Sequence, residues 1–258
     1  MAKNTRPLIL LSNDDGYRAK GINELMYILG EVADLIVVAP DGPRSGAGAS
    51  ITSEVPLHYE LVEEGDRLSV YKCNGSPVDC VKLGLDKIVP RRPDLVIGGI
   101  NHGDNSSVNV HYSGTMGVVI EGCLKGIPSI GFSLCDHSAD AYFTGCFPYI
   151  LRIVSEVLDK GLPYGTCLNV NFPLCESFNG IRICRQTDGV WTKEFEPCQH
   201  PKRDHYYWLT GVYKNNEPEA KDTDHWALEH GYVAITPTTI DVTDYQLKQE
   251  MNHWNWEV

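Results

Sequence analysis

The chain is short of positive charge. It carries 22 Lys and Arg against 34 Asp and Glu, a formal net charge of −12. That balance argues against a long nucleic acid as partner, because neutralisation of phosphates by Lys and Arg supplies most of such affinity. A small anionic substrate would need a local cation to invert the field. Long hydrophobic runs are missing too: no stretch reaches the ~18 apolar residues of a membrane span, and no basic segment leads into an apolar one at the start. No membrane association is expected, and the cytoplasm is the expected compartment. The nine cysteines include no Cys-x-x-Cys pair, so neither a zinc site nor a disulfide framework is indicated, and the thiols are expected reduced and mostly buried.

What is present reads as an α/β protein of 258 residues, 42% apolar and 22% charged. The apolar run Leu8-Ile-Leu-Leu-Ser12 has the length of a buried parallel strand and ends in Asn13-Asp14-Asp15-Gly16. Helical spacing of Ile22, Leu25, Met26 and Leu29 follows, then a second apolar run, Leu35-Ile-Val-Val-Ala39. The Gly-x-Gly-x-x-Gly turn of dinucleotide-binding folds does not follow the first strand; an Asp pair stands there instead. Residues 56–73 alternate as a hairpin, expected as an antiparallel edge insertion. Ser76 and Pro77 open a helix as N-cap and first helical residue. Asp94-Leu-Val-Ile-Gly-Gly99 is a third buried strand, running into a long polar loop up to Tyr112. Strands at 128–134 and 166–171 flank a long helix expected over 139–160. Beyond Pro173 the pattern turns to short aromatic and polar strands with a final helix near 243–252. The expected organisation is a catalytic α/β domain over 1–172 and a β-rich extension over 173–258.

The strands ending near 12, 39 and 99 deliver Asp14 and Asp15, Ser45, and Asn101 at their carboxyl tips, where ligands bind in open α/β sheets. Two adjacent acids resist joint ionisation unless a cation lies between them. Carboxylate, hydroxyl and amide oxygens suit Mg²⁺, Mn²⁺ or Ca²⁺. Taken alone, Asp14 and Asp15 equally fit a helix cap and an Asx turn. Ser113-Gly114-Thr115 opens a helix and can cradle an anion, although plain capping by Ser113 explains an isolated case.

The motifs Ser12-Asn-Asp-Asp-Gly-Tyr-Arg-Ala-Lys-Gly-Ile22, Ala39-Pro-Asp-Gly-Pro-Arg-Ser-Gly46, Ser50-Ile-Thr52, Ser76-Pro-Val-Asp-Cys-Val81, Gly99-Ile-Asn-His-Gly-Asp-Asn105, Tyr112-Ser-Gly-Thr-Met-Gly-Val-Val-Ile-Glu-Gly122 and Gly231-Tyr-Val-Ala-Ile-Thr-Pro237 resemble the SurE survival proteins, a family of metal-dependent nucleotidases. The resemblance implies a Rossmann-like three-layer α/β/α fold with a mainly parallel sheet, and a β-rich arm exchanged between subunits of a homodimer or homotetramer. It implies a 5′-nucleotidase that hydrolyses nucleoside 5′-monophosphates, and 3′ ones as an option, with one divalent metal ion, Mg²⁺ or Mn²⁺, per subunit. Carried over residue by residue, Asp14, Asp15, Ser45 and Asn101 match the family's metal ligands, and Ser113, Gly114 and Thr115 its phosphate-binding turn. Asn105, which falls with Gly103 in the same loop, is expected to bind substrate or phosphate beside that turn. Gly-Ser-Pro at 75–77 and Met-Gly-Val-Val at 116–119 depart from the commoner family residues beside these ligands, which bears on substrate preference more than on chemistry.

In the mechanism these residues suggest, the metal and the turn hold the phosphoryl group, Asp15 activates water, and Arg44 neutralises charge. The alternatives are a polyphosphatase or other phosphoester hydrolase sharing the site, and a nucleotide-binding sensor without turnover. His102 and His111 are read as solvated loop residues, Tyr112 as a base-stacking or core residue, and Asp222, Asp224 and His225 as turn and cap residues.

Overall fold

The computed structural model describes residues 6–256. In chain order the elements are β1 (Leu8–Ser12), α1 (Lys20–Leu29), β2 (Asp34–Pro40), β3 (Tyr59–Glu64), β4 (Leu68–Cys73), α2 (Pro77–Leu83), β5 (Leu95–His102), α3 (Gly114–Leu124), β6 (Ser129–Leu134), α4 (Phe147–Lys160), β7 (Thr166–Phe172), β8 (Ile181–Ile183), β9 (Gly189–Thr192), β10 (Phe195–His200), β11 (Arg203–Leu209), β12 (Val212–Asn215), α5 (Asp224–Glu229), β13 (Val233–Thr239) and α6 (Tyr245–Met251). The main sheet has the order β3-β4-β2-β1-β5-β6-β7-β13-β8. β4, β2, β1, β5, β6 and β7 run parallel, β3 pairs antiparallel to β4 and β13 antiparallel to β7.

The two faces of the sheet can be read from β1. Ile9 and Leu11 pack with Ile22, Leu25 and Leu29 of α1 and Ile150 and Val154 of α4. Leu8 and Leu10 pack on the other side with Cys80 and Val81 of α2 and Val118 of α3. Because successive strand side chains point to opposite faces, an uninterrupted apolar run at β1 is what a strand covered on both sides requires. The result is a three-layer α/β/α fold. The cysteines are free thiols, most of them buried. No helix among the described residues is long and apolar enough to cross a membrane.

Two local expectations change. The hairpin of residues 56–73 is there, but β4 also pairs parallel with β2, so only β3 is the antiparallel edge strand. The long helix begins at Phe147 rather than near 139, after a 3₁₀ turn over Thr144–Cys146, with a proline in its first turn. Pro148 fits there because the missing N–H is one the helix start leaves unbonded. The helix after β4 starts as expected: the Ser76 hydroxyl accepts from the Asp79 N–H, and the Asp79 carboxylate accepts from the Ser76 N–H. Beyond residue 172, β8 and β13 return to the main sheet, whereas β10 pairs with β11 and β9 with β12 in separate ribbons.

Candidate active site

Chain order places the crevice. From β1 the chain steps to β2 and β4 on one side of the sheet, and then β5 is laid against the other side of β1. Such a reversal leaves a cleft above the carboxyl ends of the two central strands. Asp14 and Asp15 follow β1, and Asn101 lies near the end of β5.

Neither Asp caps the following helix. α1 has Ala19 at its N-cap and no side-chain capping bond. The turn after β1 is instead tied by Asn13, whose amide donates to the Gly16 carbonyl and whose oxygen accepts the Gly16 N–H, at 3.0 and 3.1 Å. That leaves both carboxylates for other work.

Asp14 is 5% exposed. Its Oδ1 accepts from the Thr115 hydroxyl at 2.6 Å. Burial pushes its pKa up to about 6 from an ordinary 3.8, against the Thr115 and Gly114 hydrogen bonds, which favour the ionised form. The Asp15 charge adds to the rise. Gly114, the first residue of α3, is where it is because a Cβ there would lie 2.6 Å from the Asp14 Cβ. The carboxylate thus sits against the start of an eleven-residue helix. Asp15 is half-buried, and its Oδ2 accepts the His102 N–H at 3.4 Å. Its pKa is also raised, by burial first, with the His102 N–H opposing.

Asn101 is re-aimed by an irregularity in the β5–β6 pairing between Gly98 and Asn101. Gly99, at φ +117, permits it; a Cβ there would meet the Phe132 carbonyl at 2.2 Å. The Asn101 amide nitrogen donates to the Gly103 carbonyl at 2.8 Å and the His102 carbonyl at 3.4 Å. Only the NH₂ end can face two carbonyls, so the amide oxygen is left as the donor atom for a ligand.

The loop bearing Arg44 and Ser45 is docked by its backbone. The Arg44 N–H donates to the Asp14 carbonyl at 2.7 Å, and the Gly48 N–H to the Tyr112 carbonyl at 3.1 Å. Ser45 is exposed on this loop, next to the residue that touches Asp14. The Arg44 guanidinium is taken up by Asp41 at 3.0 Å and the Asn74 carbonyl at 3.3 Å. Ser113 is the N-cap of α3: its Oγ accepts from the Met116 N–H at 3.0 Å, which leaves its own O–H to donate. Thr115 has its hydroxyl committed to Asp14, so its contribution to an anion would come from its N–H.

Asn105 is brought to a different neighbourhood. Its amide donates to Ser133 Oγ at 2.8 Å, its N–H to Asn171 Oδ1 at 2.7 Å, and its carbonyl accepts from Asn169 at 2.8 Å. This buried network, with Asn169 and Asn171 on β7, gives Asn105 a part in fixing the β5–α3 loop. The sequence signal was the unusual Asn-Val-Asn inside an apolar strand.

Asp224, expected as a turn or cap residue, opens α5 and does more than that. Its carboxylate is 1% exposed and accepts from the N–H groups of Ser107, Thr187 and His225 and from the Thr187 hydroxyl, at 2.6–3.0 Å. Ser107 sits at φ +49, a conformation L residues avoid. It is held there by Asp224, by the Thr187 carbonyl and by the Tyr213 hydroxyl, which donates to Ser107 Oγ at 2.8 Å. A residue far down the chain therefore braces the loop that leads to Ser113. His111 and Tyr112 remain exposed on that loop. His102 is half-buried, its ring against Phe143 and its Nδ1 3.1 Å from the Ser138 carbonyl.

The donors that these residues offer are two carboxylates, an amide oxygen and a hydroxyl. Among the described residues no three His, Cys, Asp or Glu side chains form a metal cluster. The set fits a hard divalent cation, which takes oxygen ligands of mixed kind, and not zinc. The raised Asp14 and Asp15 pKa values are the electrostatic counterpart: a buried acid beside a half-buried one is ionised more readily once a cation joins them.

Comparison with known proteins points one way. The family model described as Survival protein SurE matches residues 9–193. A 5′-nucleotidase SurE of Phocaeicola vulgatus is 64% identical over 99% of this chain and 100% of its own. One of Bacteroides fragilis is 56% identical over 98% and 99%. Among solved structures, the SurE protein from Aquifex aeolicus is 35% identical and superposes with a TM-score of 0.82 over 96% of this chain and 99% of that one.

Proposed function

The chain belongs to the SurE survival-protein family, and on that premise we propose that it is a metal-dependent 5′-nucleotidase that cleaves nucleoside 5′-monophosphates to nucleoside and phosphate. The observation that carries the reading is the seat of Asp14: one buried carboxylate, next to Asp15, bonded by Thr115 and pressed against the first residue of α3. A cation site and an anion site are thereby back to back.

Asp14, Asp15, Ser45 and Asn101 would hold the metal. When bound, Mg²⁺ or Mn²⁺ supplies a Lewis acid for the phosphoryl oxygens. The Thr115 N–H and the Ser113 hydroxyl bind and orient those oxygens at the helix start, while the Gly114 N–H is held by Asp14. Phosphoryl transfer asks mostly for position and charge neutralisation, and Arg44 adds positive charge there only by exchanging its present partner Asp41 for the phosphoryl group. Asp15, whose one hydrogen bond among the described residues is the long one from His102, keeps an oxygen with which to orient or deprotonate the attacking water. Asn105 shapes the loop against the substrate.

The wider assembly belongs to the same proposal: a catalytic unit over 1–172 and an extension over 173–258, whose arm is exchanged within a cytoplasmic homodimer or homotetramer. Support comes from the β10–β11 ribbon, on which Phe195, Trp208 and Leu209 are 66–72% exposed; an uncovered two-stranded ribbon is marginal in water.

The test is phosphate release from nucleoside 5′- and 3′-monophosphates by metal-stripped protein, before and after Mg²⁺ or Mn²⁺ is added. Release that depends on metal and is lost in Asp15→Asn is expected. Metal-loaded protein that leaves every nucleotide intact while hydrolysing short polyphosphate would overturn the reading.

A further inference from the structure

The loop that runs from Asn101 to Ser113 has a second face. It forms one wall of a cavity of about 410 Å³, whose lining includes Asp104, Asn109, Trp191, Tyr213, His225 and Glu229. The volume falls in the range of small-molecule sites. Asp14 and Asp15 do not line it. The connection is through the backbone: the His102 N–H bonds Asp15, and Asp104 is two residues on, a span of at most about 7 Å.

The lining has a distinct chemistry. Trp191 and Tyr213 meet edge to face with centroids 5.8 Å apart, and Tyr213 stacks on His225 at 4.8 Å. These rings are fixed in place. The Trp191 indole N–H donates to Asn109 at 2.8 Å, and the Tyr213 hydroxyl is bound to Ser107. One Tyr213 face is taken by His225, and the Trp191 ring lines the cavity as the kind of flat, pre-positioned platform that nucleobases stack on, with little dependence on which base. The charge of the lining is negative, from Asp104 and Glu229, so this end of the site repels phosphate and accepts the neutral end of a nucleotide. Asp104 is also chemically asymmetric. Its Oδ1 is occupied by the Ser106 N–H and hydroxyl and by Asn109, while its Oδ2 has no hydrogen bond among the described residues. A carboxylate oxygen in that state accepts from sugar hydroxyls.

Resting on the nucleotidase reading, we propose that this cavity is the nucleoside subsite: Trp191 and Tyr213 hold the base, Asp104 accepts from the ribose hydroxyls, and the phosphate reaches Ser113 and Asp14 across the shared loop. The Asn101–Ser113 segment then joins both ends of one substrate; the base is read by the extension and the sugar by this loop, rather than by the metal side. Asp104 in particular selects ribonucleotides over their 2′-deoxy counterparts.

The experiment is steady-state kinetics of metal-loaded wild type, Trp191→Leu and Asp104→Asn on adenosine 5′-monophosphate, its 2′-deoxy analogue and ribose 5-phosphate. Trp191→Leu should lower the ratio of kcat/KM for the nucleotide over that for ribose 5-phosphate about tenfold, the size of one lost base–aromatic contact, mostly through KM. Asp104→Asn, which keeps an oxygen for Ser106, should erase the ribo over deoxyribo preference. Equal losses on all three substrates, or ratios that do not move, overturn the subsite while leaving the nucleotidase standing. If the wild type hydrolyses ribose 5-phosphate but no nucleotide, the nucleotidase reading itself falls, and the subsite with it. Should Trp191→Leu fail to fold, the Asp104→Asn ratio decides.

Discussion

Replacing Asp14 with Asn should make the metal-free protein more stable and the enzyme inactive. Asp14 is buried, with a pKa of about 6 where an unfolded chain has 3.8. The folded state therefore binds a proton more tightly than the unfolded one. The contribution of this group is neutral below the unfolded pKa, turns unfavourable as pH rises through the interval, and is fully unfavourable above the folded pKa. A rise from 3.8 to about 6 corresponds to about 3 kcal/mol at pH 8. The uncharged amide of Asp14→Asn would escape that cost while still accepting the Thr115 hydroxyl. It would give back about 1 kcal/mol, because its NH₂ meets the Gly114 N–H that the carboxylate accepts. The net gain is about 2 kcal/mol. The assay is urea unfolding of metal-stripped wild type and Asp14→Asn at pH 8 and near pH 4. A higher midpoint for the variant at pH 8, vanishing near pH 4, is expected. Saturating Mg²⁺ or Mn²⁺ should reverse the order, since a ligand at about 100 times its Kd stabilises by about 2.7 kcal/mol and the variant has lost a ligand. A variant less stable than wild type at pH 8 in the absence of metal would refute the argument that burial, rather than a satisfied hydrogen-bond network, dominates at Asp14.

Two further outcomes follow from the same bonds. Thr115→Val removes the donor that favours ionised Asp14; it should cut kcat/KM by roughly tenfold or more, the worth of a hydrogen bond to a charged group, and move the acid limb of the pH–rate profile to higher pH, with Thr115→Ser restoring both. Asp224→Ala removes the acceptor of the Ser107 and Thr187 N–H groups and the Thr187 hydroxyl, and a loss of about 1–3 kcal/mol or more, the cost of a buried donor left unpaired, should appear in thermal unfolding, with amide exchange in the Ser106–Tyr112 loop accelerated most.

What could be read from the sequence was whatever each segment says about itself. β1 announces its double burial because all five of its residues are buried and apolar or small, and Ser76-Pro77 announces a helix start because cap and proline act within one turn. Asp14, Asp15 and Asn101 were legible because they directly follow or end such strands. The boundary at Phe147 was not, since Ala141, Phe143 and Cys146 are buried in the same core as Ile150 and Val154 and so continue the apolar signal without continuing the helix. Nor was the second pairing of β4, because its alternation serves the antiparallel β3 and the parallel β2 alike. Asp224 reads locally as a helix start, and it is one. Its carboxylate bonds residues 37 and 117 positions away, and no pattern within a window can report that.

The location of the candidate site follows from handedness and order more than from any motif. β1 feeds α1 on the face of Ile9 and Leu11, whereas β5 feeds α3 on the face of Leu8 and Leu10. The two chains leave the sheet in opposite directions, so the space above neighbouring strands β1 and β5 is filled by neither. Polar groups can be left there only if something else binds them. Asp14 is the residue for which this is most costly, and it is also the one against which the start of α3 is closed down. A site that held only a structural carboxylate would be relieved by a wider approach at Gly114 and access to water. Here the backbone approaches as near as a glycine allows, which keeps the charge poorly solvated and places helix N–H groups beside it. That arrangement is unfavourable to the empty protein and favourable to one holding a cation and a phosphoryl group together, so the stability deficit at Asp14 and the proposed catalytic function have the same physical origin.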